Sequence, residues 1–156
     1  MPVSNFNISI RKLRLYEVLG AAEVINSTEK DVVKTVHELT GGVGVDLVIE
    51  TSGAESAANQ GIAALKKGGT LVFVGYSKNG MMNLSIGSAL DKELTMKTIF
   101  RYRHIYPLAI DAVNRGLVDI KNIATNVFDF DDIQKGMDES VHNKVEIVKS
   151  VIKIAP

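Results

Sequence analysis

Apolar positions along the chain fall into two spacings that alternate from near the N-terminus onward. Leu13, Tyr16 and Leu19 share one face of a short helix, with Gly20 placed to end it in a left-handed cap. Ala22–Asn26 then predicts a short strand. Thr28 followed by Asp31 resembles a capping box, and Val32, Val33, Val36 and Leu39 continue at helical spacing until Gly41 and Gly42. Val45–Ile49 is almost continuously apolar, as expected of a strand covered on both faces in a parallel sheet. Glu50-Thr51-Ser52-Gly53 closes it, and Ala54–Leu65 predicts the next helix.

After a turn at Lys67-Gly68-Gly69, Thr70–Gly75 predicts a second buried strand, followed by a looser segment to Asp91 and a strand over Leu94–Phe100. Pro107 suits the first turn of a helix running to Arg115, stopped by Gly116. Asn126–Phe130 predicts a strand, Asp131–Ser140 an amphipathic helix, and Val145–Ile154 a β-rich ending. Strand and helix in alternation predict an α/β fold: a parallel sheet built from βαβ units with flanking helices.

Composition narrows the partners. The 156 residues suit one domain by length, and 18 basic residues balance 18 acidic ones. No basic stripe is present to follow a phosphate backbone, which argues against nucleic acid. No apolar run approaches the roughly 20 residues that span a bilayer, and the N-terminus lacks the apolar core of a signal peptide, so the expectation is a cytoplasmic protein with no membrane partner. With no cysteine, disulfides and thiolate metal sites are excluded.

In an open α/β sheet, ligands sit beyond the carboxyl ends of the strands, which singles out residues 50–55, 74–78 and 100–104. The first segment, ETSGAE, offers hydroxyls and a glycine before a helix N-terminus, although Ser and Gly also suit an ordinary N-cap. In the second, VGYSKNG, Gly75 lets backbone approach a flat ligand closely, and glycine after a strand also serves plain turns. The third, FRYRH, carries Arg101 and Arg103, whose rigid guanidinium forks suit carboxylates, hydroxyls and phosphates, or can simply be solvated.

His37 falls on the outward face of its helix and His142 in a polar turn, neither with an expected partner; only His104 lies in a candidate loop. Asp129, Asp131 and Asp132 precede a helix and complement its dipole rather than forming a metal site. The glycine-rich turn of a complete dinucleotide fold, G-x-G-x-x-G between strand and helix, is absent. Gly41-Gly42-Val43-Gly44 follows a helix and precedes a strand.

The segments LGAAEVIN (19–26), ELTGGVGVDLVIETSGA (38–54), LKKGGTLVFVGY (65–76), KELTMKTIFRYRHIYPLAI (92–110) and VIKI (151–154) resemble the coenzyme domain of medium-chain, zinc-dependent dehydrogenases. The Phe-Arg-Tyr at 100–102, followed shortly by Tyr106-Pro107 and a helix, is similar to the sorbitol and xylitol dehydrogenase branch. The resemblance runs in order along nearly the whole chain. It implies a truncated Rossmann-like sheet that starts near the end of the family's second strand, with residues 124–156 as the family's C-terminal return segment.

By position, the resemblance implies that Val74, Gly75, Tyr76, Ile99, Phe100 and Arg101 lie against the coenzyme, and that Arg101 and Tyr102 reach the polyol. It sets Asn7 where the family has the acid that binds the adenosine ribose, and Lys12 where an arginine often stands. NAD is the implied cofactor, although Asn7 lacks the charge that disfavours a 2′-phosphate, and without the first strand and glycine-rich turn its binding by this fragment is expected to be weak or absent. The family's zinc belongs to a catalytic domain that these residues do not include, so hydride transfer by this chain alone is not expected. Two other arrangements stay open: a noncatalytic dimerisation module, assembled as a homo-oligomer through sheet edges such as Leu94–Phe100, and one half of a split dehydrogenase.

Overall fold

The structure, a computed structural model, describes residues 4–7, 9–100, 102–143 and 146–154; for residues 4–7 it is the backbone alone that is described. In chain order the elements are β1 (Ser4–Asn7), α1 (Ile10–Val18), β2 (Glu23–Asn26), α2 (Val32–Leu39), β3 (Val45–Glu50), α3 (Glu55–Ala64), β4 (Leu65–Phe73), α4 (Ile86–Asp91), β5 (Thr95–Thr98), α5 (Tyr106–Asn114), β6 (Asn126–Asp129), α6 (Ile133–His142) and β7 (Ser150–Lys153). They form two compact units, one from residues 1–29 with 104–156 and the other from residues 30–103.

The unit of residues 30–103 holds a parallel sheet in the order β3-β4-β5, with α3 and α4 as the connections. Its core is Val48, Ile62, Leu65, Leu71 and Ala89, with Val45, Phe73, Leu84, Leu94 and Met96 packed around them. Burial on β3 alternates, contrary to the expectation of a strand covered on both faces. Val48 and Glu50 are buried, whereas Leu47 and Ile49 are 52% and 56% exposed. Successive side chains of a strand point to opposite faces, so packing on one face leaves the other pair open.

Two local expectations about this unit also change. The Lys67-Gly68-Gly69 turn lies inside β4, where the register slips from Val45↔Leu65 to Leu47↔Thr70 and an ion pair of 2.5 Å joins Lys66 to Asp46. That hydrogen bond holds the Asp46 carboxyl below its ordinary range. The segment expected to be loose before Asp91 contains α4.

The C-terminus of α3 is closed by cationic and ring donors from elsewhere in the unit. Lys92 Nζ donates to the carbonyls of Ile62, Ala63 and Leu65 at 3.2, 2.6 and 2.8 Å. These are carbonyls a helix end leaves without intrahelical partners, and an ammonium also complements the dipole there. Desolvation pushes the Lys92 pKa down. His37, expected on an outward face without partners, is half-buried. Its Nε2 lies 3.2 Å from the Ala63 carbonyl and its Nδ1 3.2 Å from that of Gly42.

In the other unit, β1 pairs β2 in parallel and β6 pairs β7 in parallel. Leu13 of α1 and Ile25 of β2 are buried there. Gly20 follows α1 at φ +95°, and Gly116 follows α5 at φ +69°, both as the spacing predicts. Pro107 lies in the first turn of α5, also as predicted. A 3-10 turn at Phe130–Asp132 takes up the aspartates before α6. His142 ends α6, outside any turn, with Nδ1 2.8 Å from the Asp138 carbonyl.

Thr28 does not cap α2. Asn26 Oδ1 takes both its amide, at 3.1 Å, and its hydroxyl, at 2.7 Å. Asp31 is the N-cap, its Oδ1 accepting from the Lys34 amide at 3.0 Å.

Candidate functional site

Because β3, β4 and β5 run parallel, their carboxyl ends emerge at one end of the sheet. Three segments meet there: Glu50–Gly53 after β3, Val74–Tyr76 after β4, and Ile99–Phe100 after β5. The amides of Val74 and Gly75 both donate to the Glu50 carbonyl, at 2.8 and 2.9 Å. The amide of Ile99 donates to the Phe73 carbonyl at 2.9 Å. The ladder therefore extends past the strands proper and aligns the three segments side by side.

Glu50 is 4% exposed. A buried carboxylate is costly unless hydrogen bonds replace its water. Here Oε1 accepts from the Ser52 amide at 2.7 Å, from Ser52 Oγ at 2.5 Å and from the Gly53 amide at 3.0 Å. Oε2 shares the Gly53 amide at 3.1 Å. Ser52 Oγ in turn accepts from the Ala54 amide at 3.1 Å, just before α3. Ser52 is thus a relay between Glu50 and the helix start; the N-cap position itself is Ala54, with no side-chain cap bond.

Both glycines of this end are required by space. A Cβ on Gly75 would lie 2.6 Å from Glu50 Oε2 and 2.8 Å from the Ser52 amide nitrogen. Gly53, at φ +72°, sits against the Tyr76 carbonyl with no room for a Cβ. Farther out, Glu55 Oε2 accepts from the amide and side chain of Asn83, at 2.9 and 3.0 Å, and Asn59 bonds both Asn83 and Ser85. These bonds fasten the loop after β4 to α3.

The surface at this end is apolar and open. Val74, Ile99, Phe100 and Tyr102 are exposed, and Tyr76 is 79% exposed. Open apolar shelves of this kind, beside glycines and backbone amides, suit a flat ring with polar substituents. Of the residues named from the sequence, the fold groups Val74, Gly75, Tyr76, Ile99 and Phe100 here. Arg101 lies outside the described residues. Tyr102 follows in a turn that includes His104 at φ +53°.

Asn7 and Lys12 belong to the other unit. Asn7 ends β1, its side chain outside the described residues. Lys12 is in α1 and, with Gly136, Met137, Ser140, Ser150 and Ile152, lines a groove of about 470 Å³. Among the described residues no group of three or more His, Cys, Asp or Glu could hold a metal ion, and no helix is long and apolar enough to cross a membrane.

Glu50 is the residue that reading the sequence missed as a working group. Its signal was present: an acid ending an apolar strand and followed by Thr-Ser-Gly.

Parallel strands joined through helices, with glycine-bearing loops at their carboxyl ends, define a Rossmann-like coenzyme-binding α/β architecture. The model of the zinc-binding dehydrogenase family matches residues 2–115, and the chain belongs to that family. It is 29% identical over 141 residues to a sorbitol dehydrogenase of Bacillus subtilis, which covers 90% of this chain and 40% of that protein.

Among solved structures, an Escherichia coli oxidoreductase/dehydrogenase of unknown specificity involved in membrane biogenesis superposes with a TM-score of 0.91 at 32% identity, over 99% of this chain and 44% of the other. An Escherichia coli alcohol dehydrogenase complexed with NADH shares the fold alone, with a TM-score of 0.88 at 18% identity, over 98% of this chain and 44% of the other. The chain spans about 40% of the length of the curated relatives it matches.

Proposed function

We propose that this chain supplies the coenzyme-binding part of an NAD-dependent, zinc-type polyol dehydrogenase, which oxidises a secondary alcohol of a sorbitol- or xylitol-like substrate to a ketose. The observation that carries this reading is the convergence of Glu50–Gly53, Val74–Tyr76 and Ile99–Phe100 at the carboxyl end of β3-β4-β5, with an open apolar shelf above them. In this reading Val74, Gly75, Tyr76, Ile99, Phe100 and Arg101 lie against the coenzyme. Arg101 and Tyr102 reach the polyol, and Asn7 and Lys12 meet the adenosine ribose.

When bound, NAD supplies the hydride acceptor. The shelf residues hold one face of its ring away from water, and the fixed backbone at Gly75 sets how closely that ring approaches. Zinc has no residue assigned to it here, because the described residues offer no ligand cluster and the chain has no cysteine. The reading is tested by titrating NADH into the protein and following nicotinamide fluorescence, with NADPH in parallel and the oligomeric state recorded in the same sample. Weak, saturable NADH binding is the outcome that supports the reading; no binding at millimolar NADH would overturn it.

A second reading has its own observation. β5 is the last strand of its sheet, and Thr95, Lys97 and Thr98 are exposed. An edge of this kind is a template for pairing with a second copy of the chain. Assembly through β5 is compatible with coenzyme binding, and the two are read separately by the titration and by sedimentation.

A further inference from the structure

We infer that Glu50 is the positioning residue of the coenzyme shelf, holding Val74 and Gly75 in place from beneath by its carboxylate and its carbonyl together. This rests on the coenzyme reading for its consequence, whereas its structural half stands on the hydrogen bonds alone.

The two ends of Glu50 face two different segments. Its carbonyl accepts the amides of Val74 and Gly75, at 2.8 and 2.9 Å. Its carboxylate takes the Ser52 and Gly53 amides and the Ser52 hydroxyl. The missing Cβ of Gly75 is the space into which Oε2 and the Ser52 amide pack. Gly53 is likewise wedged beneath the Tyr76 carbonyl. The carboxylate thus folds the 50–53 turn into a platform on which 74–76 rests, and the shelf height depends on a charge no ligand need touch.

Glutamine at position 50 would keep size and one acceptor. Its carbonyl oxygen can still accept at the Oε1 position, but the NH2 that replaces Oε2 cannot accept from the Gly53 amide, and the charge that shortens the remaining bonds is gone. The loosened platform would let Gly75 and Tyr76 move relative to Ile99 and Phe100, which affects a bound ring more than it affects the strands.

The test uses Glu50→Gln and Ser52→Ala in the full chain, with amide hydrogen exchange and NADH titration on each. With the charge-assisted bonds removed, Glu50→Gln is expected to speed exchange at Val74 and Gly75 about tenfold and to weaken NADH binding by about the same factor. The amides of β6 and β7 should not change. Ser52→Ala leaves the carboxylate in place and should give a smaller change in the same direction, which keeps the inference open to refutation if the glutamine variant fails to fold.

A residue that merely stabilises its own turn would alter Ser52 and Gly53 exchange and leave Val74, Gly75 and the NADH affinity as in the parent; that result overturns the inference. Exchange also separates the two ideas. If the parent chain does not bind NADH, the coenzyme reading falls, while faster exchange at Val74 and Gly75 in Glu50→Gln still upholds the positioning role and unchanged exchange rejects it.

Discussion

Replacing Gly75 by alanine tests the packing at the carboxyl end of the sheet most directly. The added Cβ would lie 2.6 Å from Glu50 Oε2 and 2.8 Å from the Ser52 nitrogen, distances at which something must shift. The near atoms include backbone and the end of a buried carboxylate, so relief by a flexible side chain is not available. Overpacking of this kind costs about 1–3 kcal/mol, and displacing hydrogen bonds to a charged group costs about 1.5–3 kcal/mol more where they are lost outright. Because one shift relieves the clash and disturbs the bonds together, about 3 kcal/mol is the expected loss.

For a chain of this length that corresponds to a melting point lower by about 6–12 °C, at ~2–4 °C per kcal/mol. Gly87 provides the opposite case: nothing lies within 4 Å of its Cβ position and it sits in α4. Gly87→Ala should therefore gain about 0.5–1 kcal/mol. Urea unfolding of both variants beside the parent decides the matter. A Gly75→Ala midpoint indistinguishable from the parent's would refute the close packing, since substitutions that touch nothing stay within about 0.5 kcal/mol.

Lys92→Met removes the ammonium from three α3 carbonyls while keeping the aliphatic stem. Lys92 is part-exposed, so the expected loss is about 1–2 kcal/mol, read as a lower urea midpoint with faster exchange at the end of α3; an unchanged midpoint contradicts the clamp. The Asp46 carboxyl is held below its ordinary 3.8 by Lys66, so its contribution is complete above that value and disappears as pH falls through the folded-state pKa. Asp46→Asn should flatten that part of the acid-side stability curve, and identical acid dependence in both proteins would remove Asp46 as its source.

Assembly through β5 is tested by Thr98→Pro. The Ile99 amide faces β4, so alternation turns the Thr98 amide to the open edge, where proline blocks pairing without breaking the ladder. Sedimentation should show a smaller species than the parent, and the same profile in both argues against this edge.

Apart from α4, the order of elements, the glycines after α1 and α5 and the place of Pro107 were legible in the sequence, because each depends on residues only a few positions apart. The Rossmann-like class was legible for the same reason: alternating strands and helices leave a period in the sequence that survives whatever packs around them. That residues 74–76 and Phe100 share one end of the sheet was readable too, since the ends of apolar strands mark the ends of a parallel sheet, whereas Ile99 was named through the family resemblance. What local spacing could not settle were choices made between distant segments. Thr28 read as the cap with Asp31 as its capping-box partner, but the Asn26 side chain holds Thr28 and Asp31 is the cap. His37 acquired its partner at Ala63 when α3 packed beside α2, and Leu47 and Ile49 became exposed through the pleat of β3. Glu50 shows the division most clearly. Its sequence position says only that a strand ends in an acid, whereas its burial, its grip on Ser52 and Gly53 and its contact with Gly75 arise from the register of β3 on β4. Register is a property of paired strands, and no single segment carries it.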